Sequence, residues 1–344
     1  MCMWLDNPDR SGLVGAERVA DVERITRALR DFLPGGEGIT RVVPLTTGFS
    51  NETYLIEGPD LILRLPPSAG AMLDGHDVIG QARIYQELGG REDAPRVPGV
   101  VAVCGDRAVL GVPFFVMERL AGEAIDDLDM QPWFADAGDD LRADICRQWV
   151  SVFAGLSRVR PLDVLGPVVA PEDDARTWQA FARKADSPVL AALFDRLLAV
   201  PAPCSGPPAL IHGDSKLSNI MWLDGRVNAV LDWEMALNGE PLANLGYMLH
   251  ALESDYHAAT RAFKLPGMLT RGEVIALWEQ VSGRSADGVF WHEIAQMGKL
   301  AAIIAEGANM FSSGRSSDPK LAIFARSVDY YIGVMQAMLD SGGY

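Results

Sequence analysis

The apolar positions of this chain change their period near residue 120. Upstream they mostly alternate along short segments, as half-buried strands require; downstream they recur every three or four residues, as one face of a helix does. An opening helix is predicted over residues 16–33, where Val19, Val22, Ile25, Leu29 and Leu33 keep helical spacing until Pro34-Gly35-Gly36 ends it. Arg41–Leu45, Thr53–Glu57 and Leu61–Leu65 read as strands bounded by Gly, Pro or Asn turns. Val78–Leu88 reads as an inserted helix, with Ile79, Ala82 and Tyr85–Leu88 on one side, and Val100–Cys104 and Phe114–Glu118 as further strands.

Beyond Gly122, Ile145, Trp149, Val152, Phe153 and Leu156 form a helical stripe. Residues 189–200, 274–281, 293–305 and 321–339 carry the same period. One hairpin interrupts them: Ile220–Leu223 and Val227–Leu231 flank Asp224-Gly225, a pair suited to a two-residue type I′ turn. No internal repeat is visible. The expected layout is α+β, with a β-rich first lobe over residues 1–118 joined near Glu118–Gly122 to a mainly helical second lobe over residues 119–344.

Composition narrows this only a little. The chain has 344 residues, enough for two cores, and at 49% hydrophobic and 22% charged it reads as globular. Its net charge of -16 argues against a general nucleic-acid partner, which needs clustered Lys and Arg. The acid surface keeps a protein soluble and is also compatible with cationic substrates. Cys2, Cys104, Cys146 and Cys204 stand far apart with no CxxC pair, so neither zinc nor a disulfide framework is expected. The first residues lack the basic and apolar regions of a signal peptide, and the longest apolar run, Ala108–Met117, is short and broken by Gly111 and Pro113. The expectation is a cytoplasmic protein with no membrane partner.

The chemistry gathers around the hairpin. Leu210-Ile211-His212-Gly213-Asp214-Ser215-Lys216-Leu217-Ser218-Asn219 leads into it and Asp232 follows it. Pairing outward from Asp224-Gly225 sets Leu223 opposite Arg226 and Asn219 opposite Val230, so Asn219 and Asp232 emerge at the same open end. Asp214 sits on the loop leading in. Three oxygen-bearing side chains from one local element suit a hard divalent cation and a positioned hydroxyl. An Asp before a turn is by itself a cap; the spacing of the whole set carries the inference.

H-G-D-x-x-x-x-N, a hydrophobic strand and then Asp resembles the catalytic loop and metal-binding Asp of the aminoglycoside phosphotransferase and choline kinase-like superfamily. It parallels the protein-kinase loop, in which a catalytic Asp precedes a metal-binding Asn by five residues. The resemblance implies a bilobal protein-kinase-like α+β fold, with a small β-rich N-lobe and a large mainly helical C-lobe. It also implies an enzyme that transfers the terminal phosphoryl group of ATP or GTP, with Mg2+, to the hydroxyl of a small molecule. Asp214 would be catalytic, orienting the hydroxyl or accepting its proton; Asn219 and Asp232 would hold magnesium, and His212 would brace the loop. Thr47, Gly48, Ser50 and Asn51 resemble the nucleotide loop. Arg64, in Leu61-Ile62-Leu63-Arg64-Leu65-Pro66-Pro67, occupies the place of the phosphate-binding cation, and Gln81 that of its helix partner. Met117, Glu118 and Arg119 resemble the hinge that pairs with the adenine edge.

The Arg64 strand, Gly75-His76-Asp77, Leu231-Asp232-Trp233-Glu234 and Pro241–Gly246 most resemble a branch that includes hydroxyacyl-CoA kinases, often attached to acyl-CoA dehydrogenases. The preferred acceptor is therefore a hydroxyacyl-CoA or a hydroxy acid, and an aminoglycoside or amino-alcohol is the alternative. A catalytically silent nucleotide-binding regulator is the alternative of another class. It is motivated by departures from the family pattern: Arg64 for Lys, Gln81 for Glu, Thr47 for Gly, and Glu240 and Asn244 for two aspartates. His250, His257 and His292 lack partners at metal-ligand spacing and read as packing residues. Trp133, Trp149, Trp178, Trp278 and Trp291 read first as core or interface residues, and Asp126, Asp127 and Asp129 as a solvated acidic loop.

Overall fold

The computed structural model describes residues 16–45, 51–67, 77–126, 130–253, 261–316 and 319–343. Contacts divide the chain into two units, Met1–Ser68 with Val100–Arg119, and Ala69–Gly99 with Leu120–Tyr344.

The first unit begins with α1 (Ala16–Phe32), then β1 (Arg41–Pro44), β2 (Glu52–Glu57) and β3 (Leu61–Leu65). The chain leaves it for α2 (Val78–Gly89) and returns with β4 (Val100–Cys104), the short α3 (Arg107–Leu110) and β5 (Phe114–Glu118). The strands form one antiparallel sheet in the order β1-β2-β3-β5-β4. Alternation decides which face is buried. Ile56, Leu63, Leu65 and Val116 join Ile25 and Leu29 of α1 in a core, while Thr53, Arg64 and Phe115 stand in register on the opposite face. Phe32 meets Phe114 edge to face at 5.2 Å, and Arg30 holds the carbonyl of Ile39 at 2.9 Å, fixing the helix to the first strand.

The second unit is mainly helical. Its α2 starts on an Asp77 cap that accepts from the Ile79 N–H, and the Glu87 carboxylate accepts from the N–H groups of Asp163 and Val164. These bonds account for the grouping of α2 with this unit. There follow β6 (Glu123–Ala124), α4 (Pro132–Ala135), α5 (Asp139–Gly155), α6 (Pro171–Lys184), α7 (Pro188–Leu198), β7 (Ala209–Ile211), β8 (Ile220–Leu223), β9 (Arg226–Val230) and β10 (Leu237–Gly239). The chain then forms α8 (Leu242–Glu253), α9 (Arg271–Ser282), α10 (Val289–Ser312), α11 (Pro319–Ala325) and α12 (Val328–Ser341). Helix α10 is the hub: Trp291, Ile294, Met297 and Ala301 pack with Phe181 of α6, Phe194 and Leu197 of α7 and Met335 of α12. Among the described residues no helix is long and apolar enough to cross a membrane.

The hairpin turn is as expected: Asp224 (φ 51°) and Gly225 (φ 72°) both take the left-handed region that a type I′ turn demands. Its register is not. Leu223 faces Arg226, but a bulge in β9 between Val227 and Ala229 sets Ile220, rather than Asn219, opposite Val230. The extra residue is Asn228, whose amide accepts from Arg96 and donates to the Ala121 carbonyl, both at 2.8 Å. The single helix expected over 321–339 is two, α11 and α12, and the one expected over 293–305 runs to the full length of α10.

Candidate active site

Strand β7 is buried throughout and pairs with β10, so it delivers His212-Gly213-Asp214 from a rigid base. Gly213 takes φ 82°, and a Cβ there would lie 2.3 Å from the Met235 carbonyl oxygen; only glycine fits. His212 is fully buried between Phe153 and Trp233, with ring centroids 5.2 and 4.6 Å away. Its Nε2–H donates to the Leu231 carbonyl at 2.8 Å and its Nδ1 accepts the Asp214 N–H at 3.2 Å, so one neutral tautomer satisfies both nitrogens. Burial pushes the imidazole pKa down and keeps it neutral. The Asn244 Oδ1 completes the brace, accepting from the N–H of His212 (3.1 Å), the N–H of Gly213 (3.4 Å) and the Ser215 hydroxyl (3.1 Å).

Asp214 is held from three directions. Asn219 Nδ2 donates to its Oδ2 at 2.8 Å and to its backbone carbonyl at 2.8 Å. The Lys216 ammonium lies 3.1 Å from the same Oδ2, and the Tyr247 hydroxyl donates to Oδ1 at 2.5 Å. Burial alone would raise this carboxyl. The Lys216 charge, the Tyr247 hydroxyl, His212 and Asn219 outweigh it and hold the group well below the usual carboxylate range. The side chain keeps 14% of its surface exposed, enough to meet a ligand.

The Leu231 N–H donates to the Asn219 carbonyl at 2.8 Å, which sets Asn219 beside Asp232 despite the register shift. Asp232 is itself in the left-handed region (φ 61°, ψ 62°), and its N–H donates to the Tyr85 hydroxyl at 3.0 Å. An Asp tolerates this conformation better than most residues, and such departures from ordinary backbone geometry concentrate at functional positions. Among the described residues the Asn219 side chain bonds only through Nδ2, which leaves Oδ1 to accept a cation. The donor set of Asn219 Oδ1 and the Asp232 carboxylate suits a hard cation. No group of three or more His, Cys, Asp or Glu side chains gathers as a metal site among the described residues. Two protein ligands with phosphate and water oxygens completing the shell is the pattern magnesium favours.

A cavity of about 650 Å³ lies within the second unit, and Glu234 and Met235, just after Asp232, are part of its lining. Ile84, Leu165, Trp178, Phe181 and Leu237 make much of its wall; Gln81, Lys184, Glu234 and Lys299 add polar groups. Lys299, on α10, donates to the Gly213 carbonyl at 2.5 Å, so one side chain touches both the cavity and the residue preceding Asp214.

In the first unit Arg64 extends from β3 and donates to Thr53 Oγ1 on β2 at 3.2 Å. Asn51 and Met117 are buried, Glu118 ends β5, and Arg119 pairs with Asp60 at 2.8 Å. Thr47, Gly48 and Ser50 lie outside the described residues, as do Gly75, His76, Asp127, Asp129 and His257. Gln81 is buried on α2, in a different unit from Arg64. His250 and His292 are buried, in keeping with packing roles. Trp149, Trp278 and Trp291 are core residues, whereas Trp178 lines the cavity. Sequence reasoning missed Lys216, Tyr247, Lys299 and Tyr85. Lys216 was in plain view inside the motif, and Tyr247 is one helical turn beyond Asn244. A lone charge before Leu300-Ala301-Ala302-Ile303-Ile304 was the available signal for Lys299.

Residues 41–279 match the model of the phosphotransferase enzyme family. Among curated proteins, the chain is 28% identical over 235 residues to acyl-CoA dehydrogenase family member 11 of Gallus gallus, covering 65% of this chain and 29% of that one. It is 30% identical over 236 residues to the Homo sapiens protein of the same name, covering 65% and 29%, and 26% identical over 280 residues to probable acyl-CoA dehydrogenase IBR3 of Arabidopsis thaliana, covering 71% and 33%. The chain thus spans about a third or less of these relatives. Its fold matches that of a Ralstonia eutropha protein assigned as an aminoglycoside phosphotransferase (TM-score 0.69, 20% identity, 92% of this chain and 98% of that one). It also matches aminoglycoside phosphotransferase APH(4)-Ia with ADP and hygromycin B (TM-score 0.57, 15% identity, 89% and 95%). Macrolide 2'-phosphotransferase MphH of Brachybacterium faecium is a third (TM-score 0.54, 18% identity, 93% and 98%). The protein-kinase-like α+β fold expected from the catalytic loop is the fold of this chain.

Proposed function

The chain belongs to the phosphotransferase enzyme family, and we propose that it moves the terminal phosphoryl group of ATP, or of GTP, onto the hydroxyl of a hydroxyacyl-CoA or related hydroxy acid. The observation that carries this reading is the gathering of Asp214, Asn219 and Asp232 around one hairpin, with a largely apolar cavity joined to their loop through Lys299.

The chemistry asked of the protein is positioning and electrostatics. Asp214, ionised and held at both oxygens, accepts a hydrogen bond from the acceptor hydroxyl and aligns it. Because its pKa is low it is a weak base, so it takes the proton only as the new P–O bond forms. Asn219 Oδ1 and Asp232 are the groups suited to hold magnesium, which when bound neutralises phosphate charge. Arg64, on the sheet face opposite the core, is the cation we assign to the nucleotide phosphates. Asn51 with Thr47, Gly48 and Ser50 would cover the phosphates, and the backbone of Met117, Glu118 and Arg119 would meet the adenine edge.

The cavity favours an acyl acceptor over an aminoglycoside. Its apolar wall suits a carbon chain better than a hydroxyl-rich sugar, while its charges, Lys184 and Lys299 against Asp77 and Glu234, balance. A silent regulator finds less support, because the Asn244 amide braces His212, Gly213 and Ser215 without a carboxylate. Free Cys104, Cys146 and Cys204 fit a reducing, cytoplasmic setting. The test is a transfer screen with ATP, GTP and Mg2+ against hydroxyacyl-CoAs, hydroxy acids, amino-alcohols and aminoglycosides, read by mass spectrometry. Phosphorylated hydroxyacyl products are expected; products from the amines alone would overturn the acceptor, and none at all the enzyme.

A further inference from the structure

Lys299 is 2% exposed, yet it lines the cavity. Among the described residues its ammonium makes one hydrogen bond, to the Gly213 carbonyl, and one ring contact, 5.3 Å from the centroid of Trp178. No carboxylate oxygen of a described residue comes within ion-pair distance of it. Asp174, the first of the carboxylates whose charge it feels, accepts instead from the Trp178 indole at 3.0 Å. Burial lowers the Lys299 pKa, and Asp174, Asp214 and Glu234 oppose that fall through space without touching it. An ammonium carries three donors; among the described residues one meets an oxygen, that of Gly213, and the Trp178 ring takes part of the remaining charge, which leaves room for a further acceptor. Leaving buried charged donors unmet is costly, which makes an incoming oxygen their natural partner.

We propose that Lys299 anchors the acyl oxygen of the acceptor, a carbonyl or carboxylate, while the acceptor's carbon chain lies against Trp178 and Phe181. This deepens the phosphotransfer reading and rests on it. Two features define the ligand. The aromatic and aliphatic wall accepts methylenes and no sugar ring studded with hydroxyls. The anchor bonds to the carbonyl of the residue preceding Asp214, so the acyl oxygen and the hydroxyl are assigned to neighbouring points of one loop. The acceptor is therefore a short hydroxyacyl compound, with its hydroxyl a few carbons from its acyl oxygen. A free hydroxy acid and a hydroxyacyl thioester share that oxygen.

The experiment reads binding rather than turnover, with ligands that carry no hydroxyl to phosphorylate beyond that of the control. Hexanoate, the hexanoyl thioester of N-acetylcysteamine and hexanol are titrated into the full chain by calorimetry. The wild type is expected to bind hexanoate, the thioester or both roughly 10-fold or more tighter than hexanol, the worth of one hydrogen bond to a charged donor. The tighter arm names the source. Lys299→Met should erase the preference and leave hexanol unchanged, and Lys299→Gln serves if the methionine variant does not fold. Equal binding of all three ligands to the wild type, or a preference that survives loss of the ammonium, overturns the anchor. Transfer found in the screen with no such preference removes the anchor alone; a preference with no transfer removes the phosphotransfer reading alone.

Discussion

The Tyr247 hydroxyl meets Oδ1 of Asp214 at 2.5 Å, reaching the catalytic loop from α8, one helical turn beyond the Asn244 that braces the same loop. The side chain proposed to align the acceptor hydroxyl is thus itself held from a helix outside the motif. Tyr247→Phe removes one charge-assisted hydrogen bond while keeping the ring. We expect kcat to fall about 10-fold with nucleotide KM unchanged, measured by steady-state kinetics with both substrates varied. An unchanged kcat would show that Asn219 and Lys216 suffice to hold the carboxylate.

Asp214→Asn keeps the shape and removes the charge. Turnover should fall by about 10²–10⁴-fold with little change in nucleotide affinity, the usual worth of a positioned acid–base group. Equal losses in binding and rate, seen by calorimetry beside kinetics, would make Asp214 a structural cap.

Asp232 allows chemistry to be separated from backbone strain, because its φ of 61° suits Asn and Gly but not Ala. Asp232→Asn, Asp232→Gly and Asp232→Ala should all abolish magnesium-dependent nucleotide binding. Only the alanine variant should add a strain cost of about 1–2 kcal/mol, read as a melting temperature below that of the glycine variant. Equal melting temperatures for the two would deny the strain, and retained metal dependence in all three would deny the ligand role.

Stability should fall in mild acid. His212, His250 and His292 are buried, and burial lowers the pKa of each, that of His250 to about 4. A histidine whose folded pKa lies below its unfolded value favours the folded state while neutral. That contribution is whole above the unfolded value of about 6.5 and is lost as pH falls toward the folded one. His250 alone should account for on the order of 2 kcal/mol between pH 7 and pH 5. Urea unfolding at the two pH values checks this, and equal stabilities would contradict it.

Much of this was written locally. The strands of the first sheet, the Asp224-Gly225 turn and the Asp214–Asn219 spacing rest on side-chain alternation, turn chemistry and chain distance, which act over a few residues. Helix α6 escaped notice because its buried stripe is thin: Ala175, Gln179, Phe181 and Ala182, with only one large apolar side chain fully committed. Its ends were nevertheless signalled by Pro171, by Glu172, Asp173 and Asp174 in the first turn and by Arg183 and Lys184 in the last.

The sequence by itself determined the reaction class, because the H-G-D-x-x-x-x-N loop, the hairpin and Asp232 form one continuous stretch whose residue types and spacing resemble those of a phosphotransferase family. Only the tertiary structure decided the register of that hairpin, where Arg96 and Ala121 engage the bulged Asn228, and the surroundings of Asp214, where Tyr247 arrives from α8. It alone placed Lys299 beneath Gly213 and against the cavity. These contacts join segments up to 132 residues apart. What brings such segments together is burial of apolar surface around α10, a non-directional force that leaves no spacing rule in the sequence.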